Sequence, residues 1–273
     1  MAKTIVLFFV FLSCACQPVC AQEDAQQFEG FNLQGYTDGG EKSWDVNGDT
    51  ADILGNTIKI TNVVANSYGE QQMNLKAKTG TLDKQSGNIL LEKDVVITSD
   101  SGAQLVTDSL DWQKNEDLVT TDDNVTITQE GMVATGKGMT AHPNLKLAQL
   151  NEDVTVKVNP EPDKIDSQTV TITCDGSLEI DQIGNKAIFS DNVLAVQVGR
   201  ELKADKLELF FDPQTKKIKE MICTGNVVVT QGENQSYSEK AVYNGETQKL
   251  VLYGRPKLIL VTEGEGGLAS FGK

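Results

Sequence analysis

The sequence predicts an all-β protein: an elongated, stacked antiparallel β-jelly-roll or sandwich, divided into two modules in tandem. Three observations lead there. First, one phrase returns every thirty or so residues: an acidic or Asn turn, then a short alternating strand. It reads Lys93-Asp94-Val95-Val96-Ile97, Asp123-Asn124-Val125-Thr126-Ile127, Glu152-Asp153-Val154-Thr155-Val156, Asp191-Asn192-Val193-Leu194 and Gly225-Asn226-Val227-Val228-Val229. The matched valines are 30, 29, 39 and 34 residues apart. A repeat of this length with strand content is one supersecondary unit stacked many times. Second, from Phe31 onward strand alternation is frequent and helix-period patterning nearly absent. Third, most of the six prolines and the glycine-containing breakers fall between the alternating segments, as sheets require.

Taken in order, the chain opens as an export signal. Lys3 gives a minimal positive region, and Ile5 to Ala15 an apolar stretch too short to span a bilayer as a helix. Pro18 ends it, and Val19-Cys20-Ala21 places small residues for cleavage after Ala21, so residues 1–21 are read as a signal peptide. Lipoprotein processing at Cys14 or Cys16 is the competitor, but Phe11 and Ser13 stand where a Leu-like residue is needed. Residues 22–30 are polar and expected to be disordered. A first module is expected over 31–158 and a second over 165–265. Between them 159–164, with Pro160 and Pro162, reads as a linker where the repeat step lengthens to 39, which fits a hinge. The tail 266–273 is expected to fray.

Within the modules Thr57-Ile58-Lys59-Ile60-Thr61, Ser109-Leu110-Asp111-Trp112 and Lys206-Leu207-Glu208-Leu209-Phe210 alternate cleanly. Each repeat shares a grammar. A strand ends in a polar turn such as Asp83-Lys84-Gln85-Ser86 or Asp212-Pro213-Gln214-Thr215. A return strand such as Ile89-Leu90-Leu91 follows, then the acid/Asn turn and the Val-x-Val strand. Side chains alternate across a strand, so every copy buries the same face. The 191–198 copy breaks parity and predicts a bulge.

The composition excludes more than it assigns. With 24 Lys+Arg against 39 Asp+Glu the net charge is −15, which argues against nucleic acid or an anionic membrane surface as partner. His142 is the single histidine, so no Cys/His metal set exists, and beside Pro143 it reads as a turn residue. No nucleophile elbow or nucleotide loop occurs, and no cofactor is expected. Asp122/Asp123 resemble a glycosidase pair, but acids recur at the same place in other repeats, which points to Asp and Asn bonding their own backbone in turns. Cys174 and Cys223 either pair or stay as buried thiols; they sit 19 and four residues before their repeat valines, on unequal rungs.

What remains is shape: stacked copies make one continuous aliphatic face. If the layers splay along one side, the interior is an oily trough. Exposing each acyl CH₂ to water costs about 0.8 kcal/mol, so such a trough shelters a fatty chain without any catalytic residue. The candidate lining residues are Val95, Ile97, Val125, Ile127, Val154, Val156, Val227 and Val229. The other reading of the chain is an exported structural or adhesive β-repeat protein with no lipid cargo.

The stretches Trp44-Asp45-Val46, Thr57-Ile58-Lys59-Ile60-Thr61-Asn62-Val63, Leu75-Lys76-Ala77-Lys78-Thr79-Gly80, Asp123-Asn124-Val125-Thr126-Ile127 and Gly136-Lys137-Gly138-Met139 resemble the periplasmic LptC family of lipopolysaccharide export. Ala204-Asp205-Lys206-Leu207, Gly225-Asn226-Val227-Val228-Val229-Thr230-Gln231-Gly232, Ala241-Val242-Tyr243 and Gly254-Arg255-Pro256 are similar to the LptA (OstA-like) family. The resemblance covers about 36–260. It implies a periplasmic, non-enzymatic β-jelly-roll that holds lipopolysaccharide acyl chains. It further implies joining, through strand edges, to neighbouring Lpt proteins and an inner-membrane ABC transporter. The LptC family keeps an uncleaved membrane helix where this leader looks cleavable, and the chain is longer than a single domain of either family.

Overall fold

A computed structural model describes residues 26–68, 72–159, 169–215 and 217–261. The expected signal peptide, residues 160–164 of the linker and the tail 266–273 lie outside the described residues. Seventeen strands follow one another: β1 (Gln26–Tyr36), β2 (Lys42–Leu54), β3 (Thr57–Tyr68), β4 (Gln72–Asp83), β5 (Ile89–Ser99), β6 (Gln104–Gln113), β7 (Leu118–Gln129), β8 (Met132–His142), β9 (Leu147–Val158), β10 (Val170–Cys174), β11 (Leu178–Asp181), β12 (Lys186–Gln197), β13 (Arg200–Phe211), β14 (Ile218–Gln231), β15 (Asn234–Asn244), β16 (Lys249–Tyr253) and β17 (Lys257–Ile259). The only helical pieces among the described residues are single 3₁₀ turns at Lys114–Glu116 and Pro143–Leu145.

All seventeen belong to one antiparallel sheet in which strands pair with their sequence neighbours except at two shared rungs. β10 and β11 share one rung, lying end to end between β9 and β12. β16 and β17 likewise share the rung beyond β15. The free edges are therefore β1 at one end and β16/β17 at the other. The sheet passes through the expected module boundary without a gap, because β9 pairs with both β10 and β11.

The recurring acid/Asn phrase is not a hairpin turn, as its sequence grammar suggested, but a corner inside a strand. Ile89-Leu90-Leu91 and Val95-Val96-Ile97 are two halves of β5. The ladders from β4 to β9 and from β12 to β15 each shift register near mid-strand. Left-handed residues cluster there: Lys93 and Asp94, Asp153, Asp191 and Asn192, and Asn226. Asn and Asp reach this conformation more readily than other non-glycine residues, and a bulge sharpens the local bend. The 191–198 copy thus carries the bulge that other copies carry. Beyond it Val193 and Ala195 turn inward, while Val196 and Val198 are exposed.

These corners fold the single sheet into two facing layers, with one core cluster running from Ala77 to Ala241 between them. A smaller cluster of Ala51, Ile60 and Val63 continues it toward β1, and Leu75 packs against both. Residues 26–30, expected to be disordered, form the first part of β1, from Gln26 opposite Ile53 to Glu29 opposite Thr50. An edge strand exposed on its faces needs no apolar alternation, so the sequence there gave no strand signal.

Candidate functional site: the interior trough

Three parts recur at the corners, the third at five of the six. The first is the buried valine. Val95, Val125, Val154, Val193 and Val227 are all at most 1% exposed, and Val63 is a sixth copy missed in the sequence because a lone Asn62 precedes it. The second is a small or slim partner on the next strand: Ala77 opposite Val63, Thr107 opposite Val95, Gly136 opposite Val125, Cys174 opposite Val154, Ala204 opposite Val193 and Ser238 opposite Val227. At Gly136 a Cβ would stand 3.2 Å from both Leu150 Cβ and the Glu152 carbonyl, so bulk is excluded from the inside of the bend.

The third part is a clasp between neighbouring strands. Asn62 donates to Asp49 (2.6 Å), Ser109 to Asp123 (2.6 Å), Asn192 to Asp175 (2.8 Å) and Asn226 to Asp205 (2.9 Å). Lys78 pairs with Asp94 at 2.6 Å. The acids at the corners therefore bond across strands. Asp and Asn do bond their own backbone at the hairpin turns, where Asp83, Asp181, Asp212 and Asn244 accept local N–H groups. Asp123 is thus occupied structurally by Ser109, and its own N–H donates to Thr121 Oγ1. Among the described residues no group of three or more His, Cys, Asp or Glu is placed to hold a metal ion.

From the corner outward, inward-facing residues form cross-strand rows. In the first layer the inner row includes Leu91, Leu110, Leu150, Leu178, Phe189 and Leu207, all buried. The row nearer the mouth runs Ile53, Ile58, Leu82, Ile89, Trp112 and Val119, strand paired to strand. It passes through Ala141 and Ala148 and ends Ile180, Ala187, Leu209, Met221, Tyr243 and Leu250. Across fourteen strands it carries no charged or amide side chain. Exposure varies along this lip: Ala187 and Leu209 are buried, while Trp112 is 36% and Leu250 40% exposed.

In the second layer the matching row runs Val46, Ala65, Leu75, Ile97, Leu105 and Ile127. It continues through Ala134, Val156, Ile172, Ala195, Leu202 and Val229. The eight candidate lining residues divide accordingly. Val95, Val125, Val154 and Val227 lie at the corners and Val156 beside them, all buried. Ile97, Ile127 and Val229 stand in the same row as Val156, one step out from the corner valines, and are only partly buried.

Two family models match the chain. The first, lipopolysaccharide-assembly, LptC-related, matches residues 17–159. That is more than half of the 273 residues. The chain belongs to the LptC-related family. The second, the LptA/(LptD N-terminal domain) LPS transport protein, matches residues 171–266. No curated protein matches the chain. Membership gives this LptC-related chain a role in lipopolysaccharide transport, with lipopolysaccharide and other Lpt proteins as partners. Both descriptions are of assembly and transport, and proteins of these families are periplasmic. No helix among the described residues is long and apolar enough to cross a membrane.

The two ends of the LptC/LptA-like sheet differ. At the β1 end, Asp45 is 4% exposed and accepts hydrogen bonds from Lys42 (2.6 Å), Tyr68 (2.7 Å), Asn66 (2.8 Å) and Asn47 (3.2 Å). Asn32 of β1 donates to Asn47, Gln34 to Asn32 and Tyr36 to Gln34, so amides tie the edge strand into the sheet. The Lys42 ammonium, then the Asn66 and Tyr68 donors, hold the Asp45 carboxyl down at about 2. Sequence reading missed this cluster, because its members lie on three strands and only register unites them. At the other end β16 and β17 are apolar and open, with Tyr253 49% and Leu258 60% exposed. Cys174 and Cys223 are free and buried, and burial pushes their thiols up to about 11 and about 12.

Proposed function

We propose that the chain is a non-enzymatic, exported lipid-binding link of the lipopolysaccharide export bridge, sheltering acyl chains in the trough between its two layers. The observation that carries this reading is the apolar lip from Ile53 to Leu250, which is continuous and yet partly exposed. A closed core would bury such a row; a carrier needs it accessible. Keeping a fourteen-carbon chain out of water is worth on the order of 10 kcal/mol. On this reading Val95, Val125, Val154, Val156 and Val227 form the floor of the trough, while Ile97, Ile127 and Val229 touch cargo. The modules 31–158 and 165–265 act as two consecutive links joined in one polypeptide, a reading supported by the separate family matches over 17–159 and 171–266. The open β16/β17 edge receives a strand from a neighbouring jelly-roll Lpt protein, and the β1 end faces the inner-membrane ABC transporter.

The test is site-specific photo-crosslinking in cells. Crosslinkers at Ile97, Ile127 and Val229 should label lipopolysaccharide, and those at the outward Thr98 and Thr126 should not. Labelling from the threonines alone would reverse the face assignment. No labelling anywhere would leave the reading without cargo.

A further inference from the structure

The mouth of the second layer carries a polar row. In the second module the first-layer lip is Ala187, Leu209, Met221 and Tyr243. On the opposite layer, two residues out from Ala195, Leu202 and Val229 toward the hairpin tips, the register places a polar row. Gln197 pairs with Arg200, Arg200 with Gln231, and Gln231 with Asn234. Gln197 and Arg200, and Gln231 and Asn234, are the pairs that flank the two hairpin turns, so the row stands at the very mouth of this layer. Arg200 is one of two arginines in a chain of net charge −15. Arg200 makes no ion pair among the described residues, so its guanidinium is available to a ligand. The hairpin tips that carry the row are fastened together, since Gly232 N–H donates to the Gly199 carbonyl at 3.2 Å.

We propose that this row orients the cargo: the amphiphile lies with its chains against Ala195, Leu202 and Val229, and a phosphate of its headgroup on Arg200, flanked by the Gln197 and Gln231 amides. The guanidinium fork matches phosphate oxygens, and charge-assisted hydrogen bonds at a lip are stronger than neutral ones. The inference rests on the lipid-carriage reading and adds to it a fixed rotation of the lipid and an anionic headgroup.

The experiment measures binding of lipid A, as a bisphosphorylated acylated disaccharide and in dephosphorylated form, to the full exported chain and its variants. Arg200→Gln should weaken binding of the phosphorylated form about tenfold, leave the dephosphorylated form unchanged, and be partly rescued by Arg200→Lys. Val229→Asp should lose both forms. Equal binding of both forms by wild type and Arg200→Gln would overturn the headgroup assignment and leave carriage standing. Wild type binding neither form would overturn carriage and this inference with it. Displacement of the phosphorylated lipid by millimolar inorganic phosphate would reduce the row to a free-anion site and overturn the orientation.

Discussion

Replacing Asp45 by asparagine keeps the shape of the side chain and removes its charge from beneath Lys42, Asn66 and Tyr68. The wild-type carboxyl sits at about 2 against an ordinary 3.8. A depression of that size corresponds to at most about 2.5 kcal/mol of stability at neutral pH. The Lys42 side chain is 37% exposed, so water screens the pair from that side, and about 1 kcal/mol is the working figure. The sign follows from the lowered value: the contribution is complete above the unfolded value near 3.8 and disappears as pH falls through about 2. Because the bonds tie β3 to β2 directly, and β1 to β2 through Asn47, the loss should be local. Amide hydrogen exchange at pH 7 should therefore accelerate roughly five-fold in β1 and the adjoining half of β2 in Asp45→Asn, and stay unchanged in β14 and β15. Urea unfolding of the two proteins should converge as pH approaches 2. Uniform acceleration along the whole sheet, or a stability gap that persists at pH 2, would refute the reasoning.

Three further outcomes follow from the geometry. Gly48→Ala should destabilise by about 1–3 kcal/mol in urea unfolding, because its Cβ would stand 2.3 Å from Ile60 Cγ2 and 3.0 Å from the Thr61 carbonyl. Cys174 and Cys223 should resist thiol reagents up to pH 9 in the native protein and react promptly in denaturant, since both thiolates are disfavoured by burial. Leu258→Lys, on the exposed β17 edge, should leave thermal stability within about 0.5 kcal/mol of wild type and abolish capture of a jelly-roll partner in a pull-down.

Much of the fold was legible because burial of the repeat valine is absolute: a position that is sealed in every copy tolerates few residue types, and the eye finds it. The corners were legible as places but not as geometry. A bulge and a tight turn both call for Asp and Asn in the left-handed region, so Lys93-Asp94 reads alike in either role, and only the pairing of Val95 with Thr107 decides it. Gln26–Gly30 was illegible as strand because an edge strand with exposed faces has no apolar parity to display. The trough was half legible. Parity identified which residues of a strand face inward, yet the distinction between floor and lip depends on register between strands some thirty residues apart. That is why Val125 and Ile127 looked equivalent in sequence while one is sealed and the other is not. The Asp45 cluster and the Arg200 row depend on the same cross-strand register and were missed for the same reason.

One repeat of this sheet is about thirty residues and supplies two rungs, and adjacent strands lie roughly 4.8 Å apart. With β10/β11 and β16/β17 each sharing a rung, the seventeen strands make fifteen rungs. Their stack therefore extends roughly 65–70 Å. Its cross-section is set by the corners and its reach by how many hairpins are strung together. Gene-level addition or deletion of whole hairpins would then adjust the distance spanned without altering the bore, a ruler whose graduations are pairs of strands.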